Sequence, residues 1–150
     1  MTKRPRILPP VYLLITALLM VACGRYFPLV EIPGLLPDLV GTGLMALGLL
    51  MILWPAASFG RRGTGVIPFS PASHLVTTGF YRFTRNPMYL GMLLLLLGGG
   101  LKGGFLGAFL PIPLFPLVIH RQYILREEVF LEEIFGQAYL DYKQRVRRWL

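Results

Sequence analysis

The run Gly79-Phe-Tyr-Arg-Phe-Thr-Arg-Asn-Pro-Met-Tyr-Leu-Gly91 sets Arg82 and Arg85 directly against an apolar segment, Met88 to Leu97. Two guanidiniums at a membrane boundary serve as lipid anchors, with stems in apolar surroundings and heads in water. Beside a proline-started helix and a tyrosine, the same pair suits an anionic ligand. The planar fork matches a carboxylate or phosphate, and a helix N-terminus offers free amide donors. Which reading holds decides whether the chain is an enzyme. Glu127 and Glu128 are the second chemistry-bearing pair; their bland reading is a solvated helix face.

The elements that must position these groups are those of a membrane protein. The chain has 150 residues, which predicts one domain. It is 55% hydrophobic with a mean hydropathy of +0.61, too much apolar surface for a soluble core of this size to bury. The formal charge of +8, from 15 basic and 7 acidic residues, reads as contact with anionic headgroups and as an orientation signal. No aromatic-and-basic module supports nucleic-acid binding. One cysteine, Cys23, excludes an internal disulfide, and with His74 and His120 isolated no metal-ligand cluster is expected. Met20-Val-Ala-Cys23-Gly faintly resembles a lipoprotein cleavage site, but more apolar segments follow. An uncleaved first span is preferred over a signal peptide.

The fold expected is all-α, with four membrane spans at about 7–23, 39–57, 87–101 and 105–119. A span needs about 20 apolar residues, with roughly 17 acceptable. Pro9 and Pro10 stand at the start of the first span, where proline is tolerated. Gly41, Gly43, Ala46 and Gly48 give the second small residues for close helix contact. Ser58–Asn86 reads as a long polar loop. Gly98-Gly-Gly100 and Gly103-Gly104 predict a tight turn that makes segments three and four a short helical hairpin. Pro111, Pro113 and Pro116 should kink the fourth. Irregular backbone at membrane depth is tolerated only beside protein or a cavity, so a site is expected in this half. Beyond His120, amphipathic helices at Arg121–Phe135 and Gln137–Trp149 are predicted outside the hydrocarbon, broken near Gly136. Basic residues concentrate in the N-terminus, the long loop and the C-terminal region, so both termini are expected in the cytoplasm. Trp54 and Trp149 read as interfacial belt residues. Arg145, Arg147 and Arg148 read as headgroup contacts.

Taken in order, Arg85-Asn-Pro-Met-Tyr-Leu-Gly91 and then Glu127-Glu128 resemble the signature of the membrane-embedded methyltransferases. That group includes isoprenylcysteine carboxyl methyltransferases and phospholipid N-methyltransferases. The tail Phe135-Gly-Gln-Ala-Tyr-Leu-Asp-Tyr142 and Val146-Arg-Arg-Trp-Leu150 is similar to bacterial members, which implies a bacterial inner-membrane protein. Asn86 departs from the histidine of the best-known members and cannot accept a proton as a base would. The resemblance implies S-adenosylmethionine as methyl donor and S-adenosylhomocysteine as product, in a pocket open to the cytoplasm. It implies donor contacts from Arg85, Asn86, Pro87, Tyr89, Leu90, Gly91, Glu127 and Glu128, with Arg85 and Glu128 the catalytic pair. The chemistry is consistent. Arginine grips a carboxylate bidentately, a glutamate balances the donor's cationic charge, and a tyrosine ring can approach a sulfonium. The acceptor implied is a membrane lipid or lipid-like molecule, with no metal and no nucleic acid. Two other readings stand beside it: a nicotinamide-dependent lipid reductase, and a small transporter or scaffold. Transport predicts an intramembrane ionisable residue, and only Lys102 lies within the apolar stretches.

Overall fold

The computed structural model describes residues 7–61 and 74–150. Lys3, Arg4, Arg6 and residues 62–73 of the long loop, Arg62 among them, lie outside the described residues. Within them the architecture is helical, and the only bridge-type pairing joins Glu31 to Phe105. The main helices are α1 (Pro9–Tyr26), α2 (Leu35–Arg61), α3 (Pro87–Gly103), α4 (Leu114–Ile119), α5 (Leu125–Phe135) and α6 (Gln137–Arg145). One-turn 3₁₀ segments sit at Gly79–Arg82 and Leu106–Phe109. A π-turn at His120–Ile124 links α4 to α5 without interrupting the helical path.

Sequence accounts for most boundaries. Pro9 and Pro10 open α1, and Pro87 occupies the first position of α3, where a missing N–H costs nothing. The helix α3 ends at Gly104, whose φ of 72° is the left-handed conformation that favours glycine. Gly136, at φ 51°, breaks α5 from α6 where a break was expected.

Three helical stretches are long and apolar enough to cross a membrane: Pro9–Tyr26, Leu35–Pro55 and Leu106–Phe135. In α1 and α2 apolar side chains such as Leu14, Leu18, Val21, Leu50 and Leu53 stand exposed, as a lipid-facing surface requires. The third expected span, α3, has 17 residues and so reaches about 25 Å, somewhat short of a typical hydrocarbon core.

Several expectations need correction. Gly98–Gly100 is not part of a turn; α3 continues through it to Gly103. Those glycines serve packing. A Cβ on Gly98 would lie 2.5 Å from the carbonyl oxygen of Gly41, and one on Gly91 would lie 2.6 Å from that of Gly48. Two glycine pairs, seven residues apart on each antiparallel helix, thus bring the α2 and α3 backbones together. Gly43, also expected to serve close helix contact, meets nothing within 4 Å. The fourth segment is no simple helix at 105–119. Its prolines leave a 3₁₀ turn and the short α4, and the helical path then runs on to Phe135. The last helix stops at Arg145 rather than Trp149, and Val146 is extended.

The core lies where α1, α3 and the 106–124 path meet. Phe115, Ile119, Tyr123 and Ile124 are buried there with Tyr89, Met92 and Leu96. Trp149 packs against this cluster. A smaller cluster of Tyr139, Tyr142 and Val146 holds α6 against Leu75, Leu131 and Phe135. The starts of α1 and α3 and the C-terminal segment therefore share one end of the bundle.

Candidate functional site

At that end the chain crosses over itself. The backbone before α3 pairs with the C-terminal segment: the Arg85 N–H donates to the Arg147 carbonyl at 3.0 Å. Thr84 Oγ1 and Asn86 Nδ2 both donate to the Arg148 carbonyl, at 3.2 and 2.9 Å. Asn86 flanks α3 but its side chain makes no cap to the helix. Its amide is spent on the tail. Thr84 is wholly buried and also accepts from the Asn86 N–H at 3.2 Å.

This crossing assembles an ion cluster around Glu128, which is 6% exposed. Arg148 grips it bidentately, Nε to Oε1 at 2.8 Å and Nη2 to Oε2 at 2.7 Å. Arg85 Nη1 approaches Oε1 at 3.3 Å, and Lys143 Nζ lies 3.9 Å from Oε2. Lys143 is also paired with Glu132. The carboxylate holds the Arg148 guanidinium above its ordinary pKa through the hydrogen bonds and charge it supplies. Beside the cluster, burial, aided by the charge of Glu128, pushes the Tyr139 hydroxyl up to about 12. Tyr142 donates to the Tyr81 carbonyl at 2.8 Å, tying α6 to the turn before the motif.

Arg85 is the conspicuous member. Its side chain is only 9% exposed, yet Nε and Nη1 have no hydrogen-bond partner. Buried donors are nearly always satisfied, so two unmet ones on one guanidinium call for an explanation.

Glu127 faces the other way, as a residue one step along a helix must, about 100° around. It accepts from the Tyr89 hydroxyl at 3.0 Å. Tyr123 lies next to this pair, its ring 6.1 Å from Tyr89 and 6.2 Å from Tyr12, and its buried hydroxyl has no partner. The π-turn holds Tyr123 one helical turn before Glu127, and such turns often occur at functional sites.

The structure therefore brings together Arg85 with Glu128, and Tyr89 with Glu127. It puts Asn86 on the tail, packs Pro87 and Leu90 in the interior and turns Gly91 toward α2. Sequence reading missed Arg148, Thr84, Lys143, Tyr123 beside Tyr89, and Tyr12 beside Tyr123. Arg148 was expected at lipid headgroups. The available signal was charge: Glu128 is buried and demands cations, and the C-terminal run supplies them. His74 is exposed. Among the described residues no group of three or more His, Cys, Asp or Glu could hold a metal ion.

The chain is similar to other proteins. The phospholipid methyltransferase (PEMT) family model matches residues 37–138. A Haemophilus influenzae protein described as uncharacterized is 51% identical over 63 residues, which are 42% of this chain and 100% of that one. The protein-S-isoprenylcysteine O-methyltransferase of Schizosaccharomyces pombe is 37% identical over 75 residues, 48% of this chain and 30% of that one. The Delta(14)-sterol reductase LBR of Gallus gallus is 36% identical over 84 residues, 54% of this chain and 13% of that one. The chain thus spans less than a third of the two named enzymes. No solved structure matches it. With a family match across most of its length and helices apolar enough to span a bilayer, the chain belongs to the phospholipid methyltransferase family and is a membrane protein.

Proposed function

We propose that this protein transfers a methyl group from S-adenosylmethionine to a lipid or lipid-like acceptor at the cytoplasmic face of the membrane. The observation that carries the reading is Arg85, a buried guanidinium with two unfilled donors, set beside the separate Glu127–Tyr89 pair. The donor carries a carboxylate at one end and cationic ammonium and sulfonium groups near it. A cationic fork and a shielded carboxylate on adjacent faces match that pattern. When bound, S-adenosylmethionine supplies a methyl group on a positively charged sulfur.

The chain's own groups do the rest. Arg85 grips the donor carboxylate through its free N–H groups. The start of α3 at Pro87 adds amide donors and the positive end of a helix dipole. Glu127 balances the cationic end, with Tyr89 fixing its orientation. The sequence reading paired Arg85 with Glu128 and kept Glu127 among the donor contacts. Glu128 is saturated by Arg148, so Glu127 takes the ligand-facing role and Glu128 ties the C-terminal segment to α5. Asn86 acts through the tail, and Leu90 and Gly91 by fixing α3 in place. Burial excludes water, and for an in-line displacement positioning supplies most of the catalysis.

The proposed topology has four crossings, with α3 as the short one and both termini in the cytoplasm. The bias of basic residues toward this end supports that orientation, and a buried ion cluster is far cheaper near an interface than at the bilayer centre.

Purified protein in detergent should be stabilised by S-adenosylhomocysteine. At 100 times the dissociation constant, the ligand should add about 2.7 kcal/mol, visible as a raised melting temperature. The similarity to a sterol reductase over 84 residues favours one second reading, a nicotinamide-dependent lipid reductase. A melting shift with NADPH and none with millimolar S-adenosylhomocysteine would establish that reading and remove the first.

Arg85→Lys keeps the charge but loses the planar fork. A lost charge-assisted contact costs roughly 1.5–3 kcal/mol, so S-adenosylhomocysteine affinity should fall on the order of tenfold to a hundredfold. Calorimetric titration measures it; wild-type affinity in the lysine variant would place the carboxylate site elsewhere.

A further inference from the structure

We infer that Arg148 is a positioning residue whose task is to occupy Glu128 so that Arg85 stays available to a ligand carboxylate. The inference rests on the methyl-donor reading of the site. Three cations surround Glu128, and their geometry is unequal. Arg148 takes both carboxylate oxygens, at 2.8 and 2.7 Å. Lys143 is shared with Glu132. Arg85 approaches Oε1 at 3.3 Å without hydrogen-bond geometry, and its Nε and Nη1 remain unfilled. A planar fork 9% exposed beside a carboxylate should close on it bidentately. Here it does not, because the carboxylate's best acceptor positions are already filled.

The backbone holds Arg148 to this task. Its carbonyl receives both Thr84 Oγ1 and Asn86 Nδ2, and the preceding carbonyl receives the Arg85 N–H. The residues on either side of Arg85 therefore fix the segment that carries its competitor for Glu128. This assigns Asn86 a donor's role toward the tail, for which no basic side chain is needed.

A double-mutant cycle tests the assignment, read as S-adenosylhomocysteine affinity by calorimetric titration, with monodispersity checked by size exclusion. In Arg148→Ala the freed Glu128 should collapse onto Arg85, and affinity should drop by about tenfold or more, the order of one lost charge-assisted contact. In the Arg148→Ala/Glu128→Gln protein the neutral amide no longer draws Arg85 in, and affinity should recover most of that loss. A merely structural Arg148 would give no such recovery, because the second change removes still more of the cluster. Arg148→Ala binding as well as wild type would overturn the inference. So would a double variant as weak as, or weaker than, the single. If Arg148→Ala does not stay folded, the same cycle on Arg148→Lys decides, since lysine fills only one oxygen of Glu128. Failure of wild type to bind S-adenosylhomocysteine at all would instead remove the methyl-donor reading, and this inference with it.

Discussion

Glu128→Ala should lower the stability of this protein by about 3–5 kcal/mol, the cost of breaking a buried ion pair by removing one partner. The effect is large because the carboxylate is shared. It is the common counter-charge of Arg148 and Arg85 and lies within reach of Lys143. Without it three cations crowd one site, one of them almost wholly buried. Glu133 is the control: it lies on the same helix but is exposed, and Glu133→Ala should change stability by no more than about 0.5 kcal/mol. Melting curves in one detergent, with and without S-adenosylhomocysteine, make the comparison. Two variants melting together would show that the cluster does not hold the tail to the bundle.

Gly48→Leu should be comparably damaging for a different reason. Any Cβ at Gly48 lies 2.5 Å from the Gly91 carbonyl oxygen, and a backbone atom cannot turn aside as a side chain can. The helices must separate, at a cost at or above the upper end of about 1–3 kcal/mol for overpacking. Gly43→Ala, five residues earlier on α2, meets open space and should be neutral or slightly stabilising, since alanine restricts the unfolded chain. Because Gly91 closes the motif that begins at Arg85, separation at Gly48 should also depress methyl transfer in whatever Gly48→Leu protein remains folded. Equal melting of the two variants would mean that α2 and α3 do not meet at the glycine pairs.

Most of the helices were legible from the sequence because their signals are local. Apolar length, prolines at helix starts and Gly136 each act within a few residues. The glycines of α3 misled because glycine has two physical uses, freeing the backbone in a turn and removing bulk at a contact. A linear reading cannot separate them without the partner helix. The motif residues Arg85, Tyr89, Glu127 and Glu128 could be named in advance, but their pairing could not. Which of two adjacent glutamates faces which partner depends on helix phase, and the π-turn before α5 resets that phase. Arg148 was hidden for another reason. A basic residue in a charged tail looks the same in sequence whether it reaches lipid or folds back onto a buried carboxylate.

The crossing of the tail over the motif also dictates when the site can exist during synthesis. The bonds from Thr84 and Asn86 to Arg148 span 64 and 62 residues of chain, and α1, α2 and α3 all precede the tail. Apolar helices can enter the bilayer and pair at their glycines while the segment that carries Arg148 is still in the ribosome. Contacts of such separation in sequence form late. Until Arg148 arrives, Glu128 lacks its bidentate partner, and Arg85 lacks the neighbour that sets its geometry. Competence to hold a ligand is therefore acquired in a single closing step, and a nascent chain still short of that step is a set of membrane helices without a site.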